Sequence, residues 1–318
     1  MPATSLMHTP PHPLRISFCA RTDPQPWFDA LRQEFPKAQL QAWSSGAPPA
    51  DYAIVWAPPQ QFFDEQTQLK ALFNMGAGVD ALLKRDIAPQ LPIVRLNDAG
   101  MAVQMAEYVC HALIRHTRQF DVFEAQARTG LWHEPVALER ARYPVGILGL
   151  GVLGERVAQA VAALDFPVLA WSRSAKQVAG VRSFCGADQL PAFLAQTRVL
   201  VNLLPLTPET ENLLNRSTLG QLQSGAYLIN VARGRHVVED DVLALLDSGH
   251  LAGAALDVFR TEPLPPEHPF WRHPRVTVTP HIAARTLLPD TVAQIAGKIR
   301  ALEAGLPIDG LVDRSRGY

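Results

Sequence analysis

Short apolar runs alternate with amphipathic stretches along almost the whole chain. In the first third the runs are "LRISFCA" (14–20), "AIVWA" (53–57), "ALFNMG" (71–76) and "PIVRL" (92–96), with helix-like segments near 26–35 and 60–70. Runs this short and this rich in β-branched residues predict strands of a parallel sheet, whose two faces are both covered. A long helix-compatible run, "MAVQMAEYVCHALIRHTRQF", follows Gly100.

The rhythm then restarts with "PVGILGL" (144–150), "PVLAWS" (167–172), "VLVNLLP" (199–205), "AYLINVA" (226–232), "GAALDVF" (253–259) and "RVTVTP" (275–280). Six such runs with helical patterns between most of them predict a complete doubly wound nucleotide-binding domain. After it, "TLLPDTVAQIAGKIRALEAG" (286–305) predicts one last helix with Gly305 as its stop. This helix has no place left in the second domain, so it is expected to return to the first. The expected fold is therefore α/β, with two doubly wound parallel-sheet domains of Rossmann and flavodoxin-like type. Residues 1–103 plus 286–318 would form the substrate domain and 104–285 the NAD(P) domain, with a cleft between them.

Composition narrows the function classes. The chain has 318 residues, 47% of them hydrophobic, and 29 basic against 30 acidic side chains for a net charge of -1. No basic field invites nucleic acid, and small-molecule chemistry is the expectation. No stretch approaches the roughly 20 uninterrupted apolar residues of a membrane span, and "MPATSLMHTPPHP" lacks the apolar core of a signal peptide. Neither a membrane nor a secretory route is expected. Cys19, Cys110 and Cys185 are odd in number and far apart, which argues against a disulfide framework or a paired-cysteine zinc site and fits a reducing, cytoplasmic setting. No metal is expected, and the proline-rich start with His8 and His12 reads as a loose tail rather than a metal site.

The chemistry lies in the second half. Gly149-x-Gly151-x-x-Gly154 follows an apolar strand and opens the helical pattern "GERVAQAVAAL". Gly149 suits a tight turn, Gly151 lets backbone approach a pyrophosphate, and Gly154 lets helix and strand pack closely. The next strand usually ends in an acid that holds the adenosine ribose, but here it ends in Trp171-Ser172-Arg173-Ser174. Arg233, Glu262 and His281 each stand just past a later apolar run. An Arg offers a fork for a carboxylate, and a His beside a carboxylate can stay charged and donate a proton. Taken singly they read equally well as a surface ion pair, a loop charge and a capping histidine. Together, behind a dinucleotide turn, they can bind and reduce an α-keto acid.

The stretches "GILGLGVLGERVA", "LLPLTPETENLLN", "GAYLINVARGRHVVEDDVLALLDSGHLAGAALDVFRTEPLP" and "HPRVTVTPHIA", with "GAGVD" earlier, resemble the D-2-hydroxyacid dehydrogenase family over most of the chain after Ala71. "ADYAIVWAPP", "AWSRS", "FWRHPRV" and "VDRSRGY" are similar to its bacterial glyoxylate/hydroxypyruvate reductase branch. The resemblance implies that Arg233 grips the substrate carboxylate, His281 protonates the carbonyl oxygen, and Glu262 orients and charges His281. It implies that the backbone amides of Ala77, Gly78 and Val79 bind substrate and that Asp257 meets the nicotinamide carboxamide. Val152, Leu153, Leu204, Pro205 and Val231 would complete the cofactor contacts, with Met105 where the family usually has Val.

The resemblance implies that Trp132 reaches the partner subunit of a homodimer, with a plain core aromatic as the equal alternative, and Trp43, Asn74 and Met75 are expected at the pocket wall. In this family the acid that selects NAD falls at Ser172. Ser172 does not repel a 2′-phosphate, while Arg173, Lys176 and Ser174 offer it charge and hydrogen bonds, so NADPH is the expected cofactor and NADH a possible one. The implied reaction is reduction of a small 2-keto acid, glyoxylate or hydroxypyruvate. A dehydrogenase of another 2-hydroxy acid and a non-catalytic NAD(P)H-sensing protein on the same fold remain open alternatives.

Overall fold

A computed structural model describes residues 13–134 and 139–318. His8 and His12 lie outside the described residues. The chain divides into two compact units, one made of residues up to Gly100 together with Thr286–Tyr318 and the other of Met101–Arg285.

The first unit contains β1 (Arg15–Cys19), α1 (Gln25–Glu34), β2 (Gln39–Ala42), β3 (Tyr52–Val55), α2 (Gln60–Glu65), β4 (Ala71–Asn74) and β5 (Ile93–Val94). The second runs through α3 (Met101–Thr117), α4 (Phe120–Thr129), β6 (Val145–Leu148), α5 (Val152–Ala162), β7 (Val168–Ser172), β8 (Val181–Cys185), α6 (Leu190–Leu194) and β9 (Val199–Asn202). It continues through α7 (Arg216–Leu219), β10 (Ala226–Asn230), α8 (Glu239–Asp247), β11 (Leu251–Leu256) and β12 (Val276–Val278). The last helix, α9 (Leu288–Glu303), belongs to the first unit.

In the first unit the strands pair in the order β2-β1-β3-β4-β5, all parallel. Every residue of β3 and β4 is buried, which explains their unbroken apolar runs. One face packs Trp27, Phe28 and Leu31 of α1 with Val292, Ile295 and Ile299 of α9. The other face is closed by Phe62, Leu82 and Ile87.

The second sheet has seven parallel strands in the order β12-β11-β10-β9-β6-β7-β8. Successive side chains of a strand point to opposite faces. Val145 and Ile147 accordingly pack with α3 and α5 through Val109, Leu113, Val157 and Val161. Leu148 packs on the other side, with Phe193, Leu219, Val242 and Leu246.

Both sheets are doubly wound, and each gains a strand that periodicity does not signal. β2 is an edge strand of sequence QLQA with no fully buried residue, and β8 is an edge strand with a single buried residue, Phe184. The helix-compatible run after Gly100 forms α3, and a further helix, α4, starts where that run ends, set off by Gln119 in a left-handed conformation with φ of 55°. Among the described residues no helix is long and apolar enough to cross a membrane.

Candidate active site

The dinucleotide turn is built by three glycines with different tasks. Gly149 has φ of 97°, which an L side chain resists, and a Cβ there would stand 2.8 Å from the Leu203 carbonyl oxygen. Its amide donates to the Trp171 carbonyl at 2.9 Å, tying the turn to β7. Gly151 caps α5 in extended conformation with open space where a Cβ would go. A Cβ on Gly154 would collide with the Gly149 carbonyl oxygen, so helix and turn touch because position 154 has no side chain. The amides of Val152, Leu153 and Gly154 lie in the first turn of α5, with no carbonyl behind them in the helix. Such an end attracts phosphate.

Beside the turn, β7 ends at buried Ser172, whose hydroxyl donates to the Ser174 carbonyl at 2.8 Å. Arg173 is exposed. Glu209 is held below the usual carboxylate range by a Thr207 hydrogen bond and its own backbone, with the Arg173 charge contributing. Lys176 turns toward the glycine turn, where its ammonium donates to the Leu150 carbonyl at 2.6 Å. Leu204 and Pro205 follow β9, and the Leu204 amide donates to Asn202 Oδ1 at 3.3 Å. Val231 is buried just past β10.

Arg233, Glu262 and His281 stand beyond the ends of β10, β11 and β12, three neighbouring strands. His281 Nδ1 lies 2.8 Å from Glu262 Oε2, and the other carboxylate oxygen accepts the Phe259 amide at 3.0 Å. Burial would raise the Glu262 pKa. The His281 and Phe259 hydrogen bonds, with the His281 and Arg233 charges, outweigh it and hold the carboxyl below its usual range. Arg233 donates to the Ala232 carbonyl at 2.7 Å. A Cβ on neighbouring Gly234 would overlap the Phe259 backbone, so the Arg233 turn packs directly on the loop that leads to Glu262.

His281 has φ of 54°. Asp257, only 1% exposed, explains how that conformation is held. Its carboxylate accepts from the Thr279 hydroxyl at 2.6 Å and from the Ile282 and Ala283 amides, both at 2.9 Å. Its backbone carbonyl takes the His281 amide at 2.8 Å. Tyr108 of α3 bonds the same Thr279 hydroxyl at 2.7 Å. Met105 is buried in the core between α3 and the sheet.

In the first unit, Ala77 and Gly78 are half-buried and Val79 is buried in the loop after β4. Asn74 staples this loop by donating to the Gly76 and Gly78 carbonyls, both at 2.9 Å. Met75 packs against the core. Trp43 stands edge-on to Phe62, with centroids 5.5 Å apart, so much of its ring serves packing. Trp132, in the second unit, is 99% exposed. Three fully buried residues escaped the sequence reading: Asn202 and Asn230, which close β9 and β10, and His236, in the turn after Arg233. A polar letter closing "VLVN" and "YLIN" was the available signal for the two asparagines.

Residues 110–283 match the family model described as the NAD binding domain of D-isomer specific 2-hydroxyacid dehydrogenases. The chain belongs to that family. It is 50% identical over 299 residues to a glyoxylate/hydroxypyruvate reductase A of Serratia proteamaculans, covering 92% of this chain and 96% of the relative. Among solved structures it resembles a D-isomer specific 2-hydroxyacid dehydrogenase of Xanthobacter autotrophicus in complex with NADPH and MES, with TM-score 0.92 and 41% identity over 96% of this chain and 100% of that one. It also resembles an NADPH-dependent glyoxylate/hydroxypyruvate reductase of Sinorhizobium meliloti in complex with NADP and sulfate, with TM-score 0.91 and 37% identity at the same coverage. As a 2-hydroxyacid dehydrogenase this protein is an NAD(P)-dependent oxidoreductase.

The glycines of the turn predict opposite responses to one added methyl. Gly154→Ala drives a Cβ into the Gly149 carbonyl and should destabilise the protein by about 1–3 kcal/mol. Gly151→Ala meets open space and should leave the unfolding midpoint close to that of the wild type. Denaturant unfolding of the two variants checks both, and equal midpoints would contradict the packing described.

Proposed function

We propose that the protein is an NADPH-preferring reductase of small 2-keto acids, taking glyoxylate to glycolate and hydroxypyruvate to D-glycerate. The observation that carries this reading is the 2.8 Å contact of His281 Nδ1 with Glu262, on a loop against which the Arg233 turn packs. A carboxylate-binding cation and a proton donor thus share one end of one sheet. Relatives named as glyoxylate/hydroxypyruvate reductases support the substrate class.

The residues around the turn fit a dinucleotide. Gly149, Gly151 and Gly154, with the amides of Val152 and Leu153, would hold the pyrophosphate, and Leu204, Pro205 and Val231 would border the cofactor. Ser172, Arg173 and Ser174 would receive the 2′-phosphate. Lys176 would act mainly by bracing the turn through Leu150. Asp257 would offer its remaining acceptor direction to the carboxamide. The bound cofactor supplies the hydride. Arg233 would bind the substrate carboxylate by its fork and polarise the neighbouring carbonyl. The Ala77, Gly78 and Val79 amides are the substrate donors that membership of the family suggests for the first unit. His281, with Nδ1 committed to Glu262, would deliver a proton from Nε2 to the carbonyl oxygen. We also assign the protein to the cytoplasm, in keeping with its free Cys19, Cys110 and Cys185.

The cofactor preference is checked by comparing rates with NADPH and NADH. Arg173→Ala should weaken NADPH much more than NADH, and equal losses would defeat the assignment of Ser172 and Arg173. His281→Ala should lose about 100- to 10,000-fold in kcat while still binding NADPH; undiminished turnover would sink the proton donor.

The sign of the pH effect follows from linkage. His281 helps hold the Glu262 carboxyl low, so Glu262 is ionised near neutrality and faces the ring through which the reaction would take up its proton. Reduction needs that proton and should slow as pH rises. Glu262→Gln, which removes the charge from the pair, should change the pH profile, and identical or flat profiles for the two proteins would contradict the pairing.

We further propose a homodimer formed through α4. This helix buries none of its residues, exposes Phe120, Val122 and Phe123, and is followed closely by Trp132. Light scattering should give about twice the 34.9 kDa of one chain, and a monomer at micromolar concentration would overturn it.

A further inference from the structure

Asn202 closes β9, Asn230 closes β10, and His236 lies in the turn just after Arg233; all three are 0% exposed. Their hydrogen bonds form one ordered chain. Asn202 Oδ1 accepts the Leu204 amide, which orients the side-chain amide, and its Nδ2 then serves two acceptors, Asn230 Oδ1 at 2.9 Å and His236 Nδ1 at 3.0 Å. An amide nitrogen only donates. His236 Nδ1 must therefore be unprotonated, and the ring's single hydrogen sits on Nε2, facing the Pro205 carbonyl at 3.2 Å. At the other end Asn230 Nδ2 donates to the Arg233 carbonyl at 3.1 Å, and its Oδ1 also accepts the Ala232 amide at 3.3 Å.

The chain of bonds thus runs from Pro205, through His236, Asn202 and Asn230, to the backbone of Arg233. It closes only with a neutral imidazole in one tautomer, since a second ring hydrogen would point at the Asn202 donor. Stability alone gives no reason for it. The rest of β9 and β10 buries Val, Leu, Ala, Tyr and Ile at the same depth, and apolar groups of matched shape replace a buried polar set at little or no cost.

We infer that His236 is a positioning residue that clamps the Leu204–Pro205 turn to the Arg233 backbone, fixing the spacing between the cofactor-bordering turn and the carboxylate anchor. The roles at the two ends rest on the function proposed above; the clamp itself rests on the bonds. Each end has its own conservative variant. In His236→Asn the side-chain oxygen stands near the place of Nδ1 and keeps the bond from Asn202, but the reach to Pro205 is lost. In His236→Gln the amide nitrogen reaches toward Pro205, while the acceptor for Asn202 is lost.

Two measurements separate these effects: NADPH titration by tryptophan fluorescence, and steady-state kinetics with glyoxylate. His236→Asn should weaken NADPH binding about three- to tenfold with the glyoxylate KM near the wild-type value, the scale of one lost hydrogen bond. His236→Gln should raise the glyoxylate KM by a similar factor with NADPH binding nearly unchanged. His236→Phe should show both losses.

Constants within twofold of the wild type in His236→Phe, beside a lowered unfolding midpoint, would show a purely structural role and overturn the clamp. If His236→Phe does not fold, equal effects of Asn and Gln on both constants, or none, overturn it as well. Absence of wild-type turnover on glyoxylate would defeat the proposed reaction. The clamp would then be judged by the NADPH titration of His236→Asn alone, where unweakened binding overturns it.

Discussion

The side chain of Asp257 is shut away from water just past the end of β11, and Thr279, Ile282 and Ala283 all donate to its carboxylate there. A buried charge with fewer donors would be costly. The donors flank His281, so satisfying Asp257 dictates the path of the backbone through that residue. The path requires a left-handed histidine, at a cost of about 1–2 kcal/mol. Hydrogen bonds to a charged group contribute about 1.5–3 kcal/mol each, and three of them outweigh the strain. His281 is therefore held by the core of the sheet rather than by its exposed loop, and its ring is left to meet Glu262.

The same sheet turns distant letters of the sequence into neighbours. β9, β10, β11 and β12 lie side by side and parallel, so residues just past their ends share one edge although Asn202 and His281 are far apart in the chain. β6 sits beside β9 where the winding reverses, which brings the glycine turn against Leu203, whose amide bonds the Leu148 carbonyl at 2.8 Å. Ligands of doubly wound sheets sit at this reversal. The turn and the Arg, Glu and His loops are thus consequences of strand order, and only the identity of the loop residues remains for the chemistry to choose.

That division decides what could be read from the letters alone. Arg233, Glu262 and His281 stood out because each is a polar residue within three positions of the end of an apolar run, and a parallel sheet gives such residues a shared edge. β2 and β8 did not stand out, since an edge strand covered on one side carries no continuous apolar run. The helix that follows Gln119 was hidden because none of its residues is buried, so it turns no apolar stripe toward the core. Lys176 was placed in the right loop, but a long flexible side chain can reach several partners, and Leu150 lies within that reach. Asn202 and Asn230 also close apolar runs, yet they turn inward to His236 while Arg233 does not. Spacing records where a residue falls along a strand; which way it faces depends on the partners the fold supplies.

The end of β7 shows how a missing group can act. An acid at position 172 would accept bonds from ribose hydroxyls and repel a phosphate beside them, whereas Ser172 spends its hydroxyl on the Ser174 carbonyl and carries no charge. In water two unit charges about 4 Å apart interact by only about 1 kcal/mol, rising to about 4 kcal/mol at the effective dielectric of a protein surface. Removing one repulsion and adding the Arg173 attraction each fall in that range. Arg173 does not act alone, because its charge already helps hold Glu209 ionised, and a 2′-phosphate would have to share it. The selectivity expected in the proposed reading is therefore graded. The site would favour the phosphate by a few kcal/mol at most, and it carries no acid whose loss of partners would penalise a cofactor without that phosphate.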